Sequence, residues 1–206
     1  MFGEKRLKYL ISSINDDAKL DKALGLCVEI TEKELPFLTL ALNFPHDRIL
    51  FGDFPYSTLW SLINELKRLG ATSLLDMGSG YGRLCLLASL TGFRKVWGIE
   101  IVDKRCREAR RAAAALGLQY CRFICSDVAR ARWPRADAYV LMNSLYETPL
   151  RKVLTRLNNF AYPGELIGSI SLSNNALDRM PWTTLVYRAE PTDPLSLSIY
   201  QICDLS

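Results

Sequence analysis

The pattern of apolar and polar positions divides the chain into two parts. In residues 5–24, apolar side chains recur at helical spacing, and lysines and aspartates fill the positions between them, which predicts an amphipathic helix. A second apolar run, Leu35 to Leu42, ends at a proline, and an aromatic loop follows at residues 51–57. We therefore predict an N-terminal helical extension over residues 1–50 and a main domain over residues 51–206.

From Ser73 onward, short apolar strands alternate with helical segments. We predict strands at Ser73–Met77, Lys95–Ile99, Gln119–Cys125, Ala138–Met142, Glu165–Leu172, Thr183–Tyr187 and Ser198–Cys203. We predict helices at Leu59–Leu69 (with Ser57 or Thr58 as the N-cap), Arg83–Leu90, Asp103–Leu116 and Leu150–Asn158. This alternation is typical of a doubly wound α/β domain with a mostly parallel sheet. The last two strands have no helix between them, so we expect an antiparallel hairpin at the sheet edge.

Composition and charge narrow the class of protein. With 206 residues and 49% hydrophobic content, the chain can bury a core without disulfides or metal. The net charge of +4 permits an acidic partner without demanding one. No apolar run of about 18 residues and no signal peptide is visible, so we expect a cytoplasmic protein without a membrane span. The six cysteines show no CxxC pair, and His46 is the one histidine, so we expect reduced, mostly buried thiols and no metal site.

The most informative segment follows the first strand of the main domain. It runs Asp76-Met77-Gly78-Ser79-Gly80-Tyr81-Gly82-Arg83. Glycines let the backbone pass close beneath a ligand, and amides at the following helix start face that ligand. A dinucleotide-binding motif needs a small residue where Arg83 stands, so an NAD-dependent enzyme is the least favoured interpretation.

The pattern DxGxGxG resembles the cofactor motif of class I S-adenosylmethionine-dependent methyltransferases. The resemblance covers roughly residues 50–206, and acids at the ends of the next two strands extend it. It implies S-adenosyl-L-methionine as the cofactor, with Asp76 near the amino-acid end, Glu100 on the ribose and Asp127 near adenine. The implied cofactor-binding residues are Asp76, Gly78, Ser79, Gly80, Gly82, Glu100, Ile101, Asp127 and Val128. A bland alternative for Asp127 is a helix N-cap, which needs the same residue type.

Two further segments bear on the methyl acceptor. Phe51-Gly52-Asp53 and Asn143-Ser144-Leu145-Tyr146 are similar to segments of the DOT-type (non-SET) protein-lysine methyltransferases. This resemblance implies a lysine acceptor, with Asn143 and Tyr146 at the transfer site. It also implies that an acceptor-facing loop is formed by Phe54, Pro55, Tyr56 and Ser57. That branch tends to have paired asparagines and phenylalanines where this chain has Met142 and Leu145.

The identity of the methyl acceptor therefore stays open between three chemical classes. A protein lysine is favoured, and RNA or a small molecule is the alternative. From another class altogether, a catalytically silent methyltransferase fold could serve as a binding module. A basic region could bind nucleic acid; it consists of Arg105, Arg107, Arg110 and Arg111, with Arg94, Lys95, Lys104, Arg122, Arg130, Arg132 and Arg135 nearby. Glu108 interrupts that region, so a solvated helix face is the favoured interpretation, and a protein substrate is favoured over nucleic acid.

Overall fold

The structure is a computed structural model that describes residues 9, 11, 16–35, 54–142, 145, 147–193 and 196–204. Its helices are α1 (Asp17–Ala23), α2 (Val28–Lys33), α3 (Tyr56–Arg68), α4 (Arg83–Leu90), α5 (Asp103–Ala115), α6 (Glu147–Phe160) and α7 (Leu172–Leu177). Its strands are β1 (Ser73–Met77), β2 (Lys95–Glu100), β3 (Cys121–Cys125), β4 (Ala138–Met142), β5 (Leu166–Ile170), β6 (Thr183–Arg188) and β7 (Ser198–Ile202). Asn143, Tyr146, residues 36–53 and most of residues 1–15 lie outside the described residues.

The strands form one seven-stranded sheet in the order β3-β2-β1-β4-β5-β7-β6. The pairs from β3 to β5 are parallel, and β7 pairs antiparallel with both β5 and β6. The predicted doubly wound sheet with an antiparallel hairpin at its edge is therefore confirmed. Because β4 follows β3 in sequence but pairs with β1, the order reverses between β1 and β4. Open sheets of this kind bind ligands at the carboxyl ends of the strands beside such a reversal.

Two apolar cores cover the two faces of the sheet. One contains α3, α4, α5 and part of the N-terminal segment, including Leu20, Leu24 and Leu26. The other contains α6 with Trp133, Tyr139 and Leu177. Residues 16–35 therefore pack into the same core as the main domain, although the division at residue 50 stays a prediction.

Several element predictions were wrong, most of them at the N-terminal side. The predicted helix 5–24 does not run continuously, because Asp16 is extended and its side chain caps α1 by accepting from Lys19 N at 3.2 Å. The helix predicted from Leu59 begins at Tyr56, where the Pro55 carbonyl accepts from Thr58 N and Leu59 N, so neither Ser57 nor Thr58 is its N-cap. The short helices α2 and α7 were not predicted.

The cysteines are all free, as expected, but only half of them are buried. Cys85, Cys106 and Cys121 are buried, whereas Cys27 and Cys125 are exposed. Within the described residues, no helix is long and apolar enough to cross a membrane. No group of three or more potential metal ligands forms in that same part of the chain.

Candidate active site

The glycine loop, residues 78–82, connects β1 to α4 at the carboxyl edge of the sheet. The amides of Gly78 and Ser79 both donate to the carbonyl of Ile99 at 2.9 Å, which ties the loop to β2. Gly82 has φ of 76°, and a Cβ there would meet the Phe123 ring at 2.5 Å. A Cβ on Gly98 would lie 2.6 Å from Ser79 Oγ. Glycine is required at both positions because the loop lies directly against β2 and β3.

Asp76 lies at the carboxyl end of β1, just before this loop. Its side chain is fully buried, and the Cys85 thiol lies 3.7 Å from Oδ2. Its Oδ1 has no hydrogen-bond partner among the described residues. Burial raises the pKa of Asp76 to about 7, and the nearby Glu100 carboxylate adds to the rise. A buried carboxylate oxygen without a donor is costly, and a cationic ligand group would satisfy it.

Glu100 ends β2 and connects two backbone segments. Its Oε2 accepts from Gly80 N and its Oε1 from Val102 N, both at 2.8 Å. The Ile101 amide also donates to this carboxylate, and because a carboxylate has about four lone-pair positions, acceptor capacity is left for a ligand hydroxyl. Burial raises the pKa of Glu100. Ile101, the next residue, is half-buried beside it.

Asp127 and Val128 follow β3 at the next position along the edge. Asp127 Oδ1 accepts from Ala129 N at 2.8 Å, and its Oδ2 lies 3.6 Å from Arg130 Nε. The side chain therefore stabilises a turn. This agrees in part with the alternative of a helix N-cap at Asp127, although a turn rather than a helix follows. Val128 is buried, and its carbonyl accepts from the Trp133 indole at 2.7 Å.

The loop predicted to face the acceptor is only partly where it was expected. Tyr56 is 1% exposed, and its hydroxyl donates to Asp21 Oδ1 at 2.6 Å. Its placement disagrees with an acceptor-facing role, because the ring is enclosed between α3 and the N-terminal segment. Phe54 packs on the core, while Pro55 and Ser57 are partly or fully exposed.

The residue that departs from the dinucleotide motif, Arg83, has a structural partner. Its guanidinium is buried and forms a two-point ion pair with the buried carboxylate of Asp21, with Nε donating at 2.7 Å. The same guanidinium lies 5.3 Å from the centre of the Tyr56 ring. The first turn of α4 is thereby fastened to α1.

A second cluster connects α2 to the same loop. Glu32 accepts from Tyr81 Oη at 2.7 Å and from Arg105 Nε at 2.7 Å. Arg105 is buried. No pattern in the sequence predicts either cluster, because side chains far apart in the chain meet only after folding.

The arginines of α5 do not form a free basic surface. Arg105 pairs with Glu32, Arg107 with Asp103, and Arg110 donates to the Phe123 carbonyl. Arg111 binds both Glu108 and the Gly25 carbonyl. Three of these guanidinium groups are paired with carboxylates and Arg110 donates to a neutral carbonyl, which agrees with the favoured interpretation of a solvated helix face.

Comparisons with known proteins agree with this geometry. Residues 74–164 match the family described as methyltransferase domain. No curated protein matches the chain significantly.

Among solved structures, an RNA methyltransferase from Salinibacter ruber in complex with S-adenosyl-L-homocysteine is 21% identical. Its TM-score is 0.60, over 74% of this chain and 95% of that chain. TrmN from Thermus thermophilus is 20% identical, with TM-score 0.61 over 73% of this chain and 50% of its own. A ribosomal protein L11 methylase from Lactobacillus delbrueckii subsp. bulgaricus is 14% identical, with TM-score 0.61 over 75% and 81%.

At these identities the structural matches show a shared fold, which is the class I methyltransferase fold. The family match adds the methyltransferase domain itself. The protein is thus an S-adenosylmethionine-dependent methyltransferase.

Proposed function

We propose that the protein transfers a methyl group from S-adenosyl-L-methionine to a lysine side chain of a protein. The observation that carries the cofactor assignment is the unpartnered Oδ1 of Asp76, buried at the start of the glycine loop. A cationic ammonium fits such an oxygen, because it supplies both charge and donors.

The remaining cofactor contacts are assigned along the edge of the sheet. Glu100 holds the ribose hydroxyls with the acceptor capacity that its backbone partners leave. Ile101, Asp127 and Val128 form the adenine side. Gly78, Ser79, Gly80 and Gly82 let the loop approach the cofactor closely, and the Ser79 hydroxyl has no partner among the described residues.

The transfer itself demands little covalent chemistry from the chain. When bound, the cofactor supplies a sulfonium methyl group. A neutral acceptor amine forms the new N–C bond to that methyl group, and the sulfur atom keeps the electron pair of the S–C bond that breaks. The lysine must lose its proton beforehand, and an apolar pocket favours that loss by disfavouring the charged form. The task of this chain is to align the acceptor and exclude water. We assign the acceptor side to Asn143, Tyr146, Phe54, Pro55 and Ser57.

A lysine acceptor is supported by the DOT-like segments at residues 51–53 and 143–146 and by the internal pairing of the α5 arginines. RNA is the second candidate, and one observation favours it. Arg132 is exposed beside the predicted adenine side, with no partner among the described residues, and Arg130 is 88% exposed.

The first experiment is calorimetric titration with S-adenosylhomocysteine, with NAD as the control ligand. We expect Glu100→Gln to weaken binding about 10- to 100-fold, because a charged hydrogen-bond acceptor is lost. Asp103→Asn is the matched control, because that exposed acid is three residues further on, pairs with Arg107 and accepts only a long contact from the Cys125 thiol. No binding by folded wild-type protein would overturn the cofactor assignment.

The second experiment identifies the acceptor class. Cell extract is incubated with the enzyme and a labelled methyl donor, and the product is divided between protease and ribonuclease. Label that protease releases, and that appears in methyl-lysine after hydrolysis, supports the proposal. Label that only ribonuclease releases supports RNA, and cofactor binding without any labelled product supports a silent binding module.

A further inference from the structure

The proposed cofactor residues occupy one half of the carboxyl edge of the sheet. Asp76, Glu100 and Asp127 follow β1, β2 and β3, which are neighbours. An acceptor must approach from the other side of β1, where β4 and β5 end. Neighbouring strands lie about 4.8 Å apart, so β5 lies about 10 Å from β1, a distance that a long acceptor side chain can span. This inference rests on the proposed function.

A strained residue stands where β5 ends. Ser171 has φ of 67° and ψ of −136°, and it is the one non-glycine residue with positive φ in the part of the chain that the structure describes. A serine before a helix ordinarily caps it from an extended conformation, but the Ser171 side chain makes no such bond to α7. Capping therefore does not explain this serine. Strain of this kind is concentrated at functional sites.

Two neighbouring serines carry hydroxyls that the described residues do not satisfy. Ser169 and Ser173 are fully buried, and the Oγ of each has no hydrogen-bond partner among the described residues. The turn itself is firmly held, because Asn174 Nδ2 donates to the Ser196 carbonyl at 2.6 Å. Leu172, between the serines, is 47% exposed.

The position of this turn relative to β4 completes the argument. Met142, the last residue of β4, pairs with Ile170, the last residue of β5. Ser171 therefore follows β5 beside the carboxyl end of β4, and Asn143, which is proposed for the acceptor side, follows Met142 in the sequence. The serine turn, residues 169–173, thus lies beside the end of the strand after which the proposed acceptor residues come in the sequence.

We propose that Ser171 and Ser173 are specificity-determining residues that hold the polar head of the acceptor. Ser171, which is half-buried, contacts the acceptor amine directly. Ser173 gains a partner for its hydroxyl when the acceptor enters. The contact between Asn174 and the Ser196 carbonyl holds the turn in this conformation despite the strain at Ser171, so the turn is already shaped when the acceptor arrives.

The test compares two ligands that contain the same adenosyl and amino-acid groups and therefore bind the same cofactor residues. One is S-adenosylhomocysteine, and the other is the analogue of S-adenosyl-L-methionine that carries a four-carbon aminoalkyl chain on sulfur in place of the methyl group. We expect wild-type protein to prefer the analogue by tenfold or more. Ser171→Ala and Ser173→Ala should each reduce that preference about 3- to 10-fold, the effect of one neutral hydrogen bond, with affinity for S-adenosylhomocysteine unchanged.

Ser89→Ala is the matched control, because Ser89 is also a serine with a buried hydroxyl but lies beside Cys121 at the amino end of β3. It should leave the preference unchanged. A preference that survives both serine substitutions, or its absence in wild-type protein that binds S-adenosylhomocysteine, overturns this inference alone. Failure to bind S-adenosylhomocysteine overturns the proposed function instead.

Discussion

The two halves of the carboxyl edge are built differently. In the cofactor half, β1 to β3, backbone amides hold Glu100, and ion pairs from the N-terminal segment hold Arg83 and Arg105 beside the glycine loop. In the acceptor half, β4 and β5, no such ion pairs are present among the described residues, and a strained serine follows β5. Both halves contain buried polar atoms without a partner among the described residues, a carboxylate oxygen of Asp76 in the first and the hydroxyls of Ser169 and Ser173 in the second. The cofactor half therefore offers a charged group to its ligand, whereas the acceptor half offers neutral hydroxyls.

The largest expected effect tests how firmly the cofactor half is held. Asp21→Ala leaves the buried Arg83 guanidinium without its carboxylate, and we expect a loss of about 3–5 kcal/mol of unfolding free energy. Urea denaturation followed by circular dichroism measures it. Glu29→Gln removes an exposed acid that pairs with Lys33 and should change stability little. Equal losses in the two variants would mean that the N-terminal segment does not secure the loop.

The second effect concerns the charge of Asp76. Its folded pKa of about 7 exceeds the ordinary value of 3.8, so its stabilising contribution is full below the ordinary value and is lost as the pH rises through 7. An asparagine in its place does not titrate. We therefore compare the unfolding free energies of Asp76→Asn and wild type without ligand. As the pH rises from about 4 to about 8, we expect the difference in favour of the variant to grow by on the order of 4 kcal/mol.

Asp137→Asn supplies a control of opposite sign. Burial raises the pKa of Asp137, but hydrogen bonds from Thr72 and Ser73 outweigh it and hold the pKa below the ordinary value. Its contribution is present above the ordinary pKa and is lost as the pH falls. Parallel pH profiles for the two variants would contradict the assigned burial of Asp76.

A smaller effect tests the strain in the acceptor half. Ser171→Gly relieves a backbone strain of about 1–3 kcal/mol and adds about 0.5–1 kcal/mol of chain entropy, so we expect a net stabilisation of about 1 kcal/mol. Thermal unfolding measures it. Ser61→Gly, in the middle of α3, should instead destabilise by about 0.5–1 kcal/mol. A destabilised Ser171→Gly variant would show that the serine is not strained.

The smallest expected effect separates the two acceptor classes. Arg132→Ala removes an exposed side chain and should change stability by less than about 0.5 kcal/mol and leave transfer to protein unchanged. If RNA is the acceptor, the same substitution should weaken RNA binding and reduce its dependence on salt. Arg94→Ala, at the amino edge of the sheet, is the control that neither class should affect.

Much of the cofactor half could be predicted because its signals are local. β1 and β4 have the predicted bounds, and β2 extends one residue further, to Glu100. The backbone of the loop after β1 requires glycine at particular positions, so the glycines in the sequence indicate the loop directly. The roles of Asp76 and Glu100 in binding remain predictions.

The rest depended on contacts between distant residues. Tyr56 was expected near the acceptor, but Asp21, which encloses it, is 35 positions away. Arg83 departs from the dinucleotide-binding motif, and its ion pair with Asp21 explains why an arginine occupies this position. Ser171 carries no signal at all, because serine is common before helices and its φ is set by the turn around it.

The place of β7 has a consequence for the order in which the sheet can assemble. β6 is made before β7, yet its one neighbour in the sheet is β7, which lies between it and β5. β6 therefore joins the sheet only when β7 is present, either as a hairpin formed with β7 or by pairing with β7 after it has docked on β5. The same connection governs the reverse process: any fluctuation that frees β7 from β5 releases β6 with it, so this edge opens as a single unit.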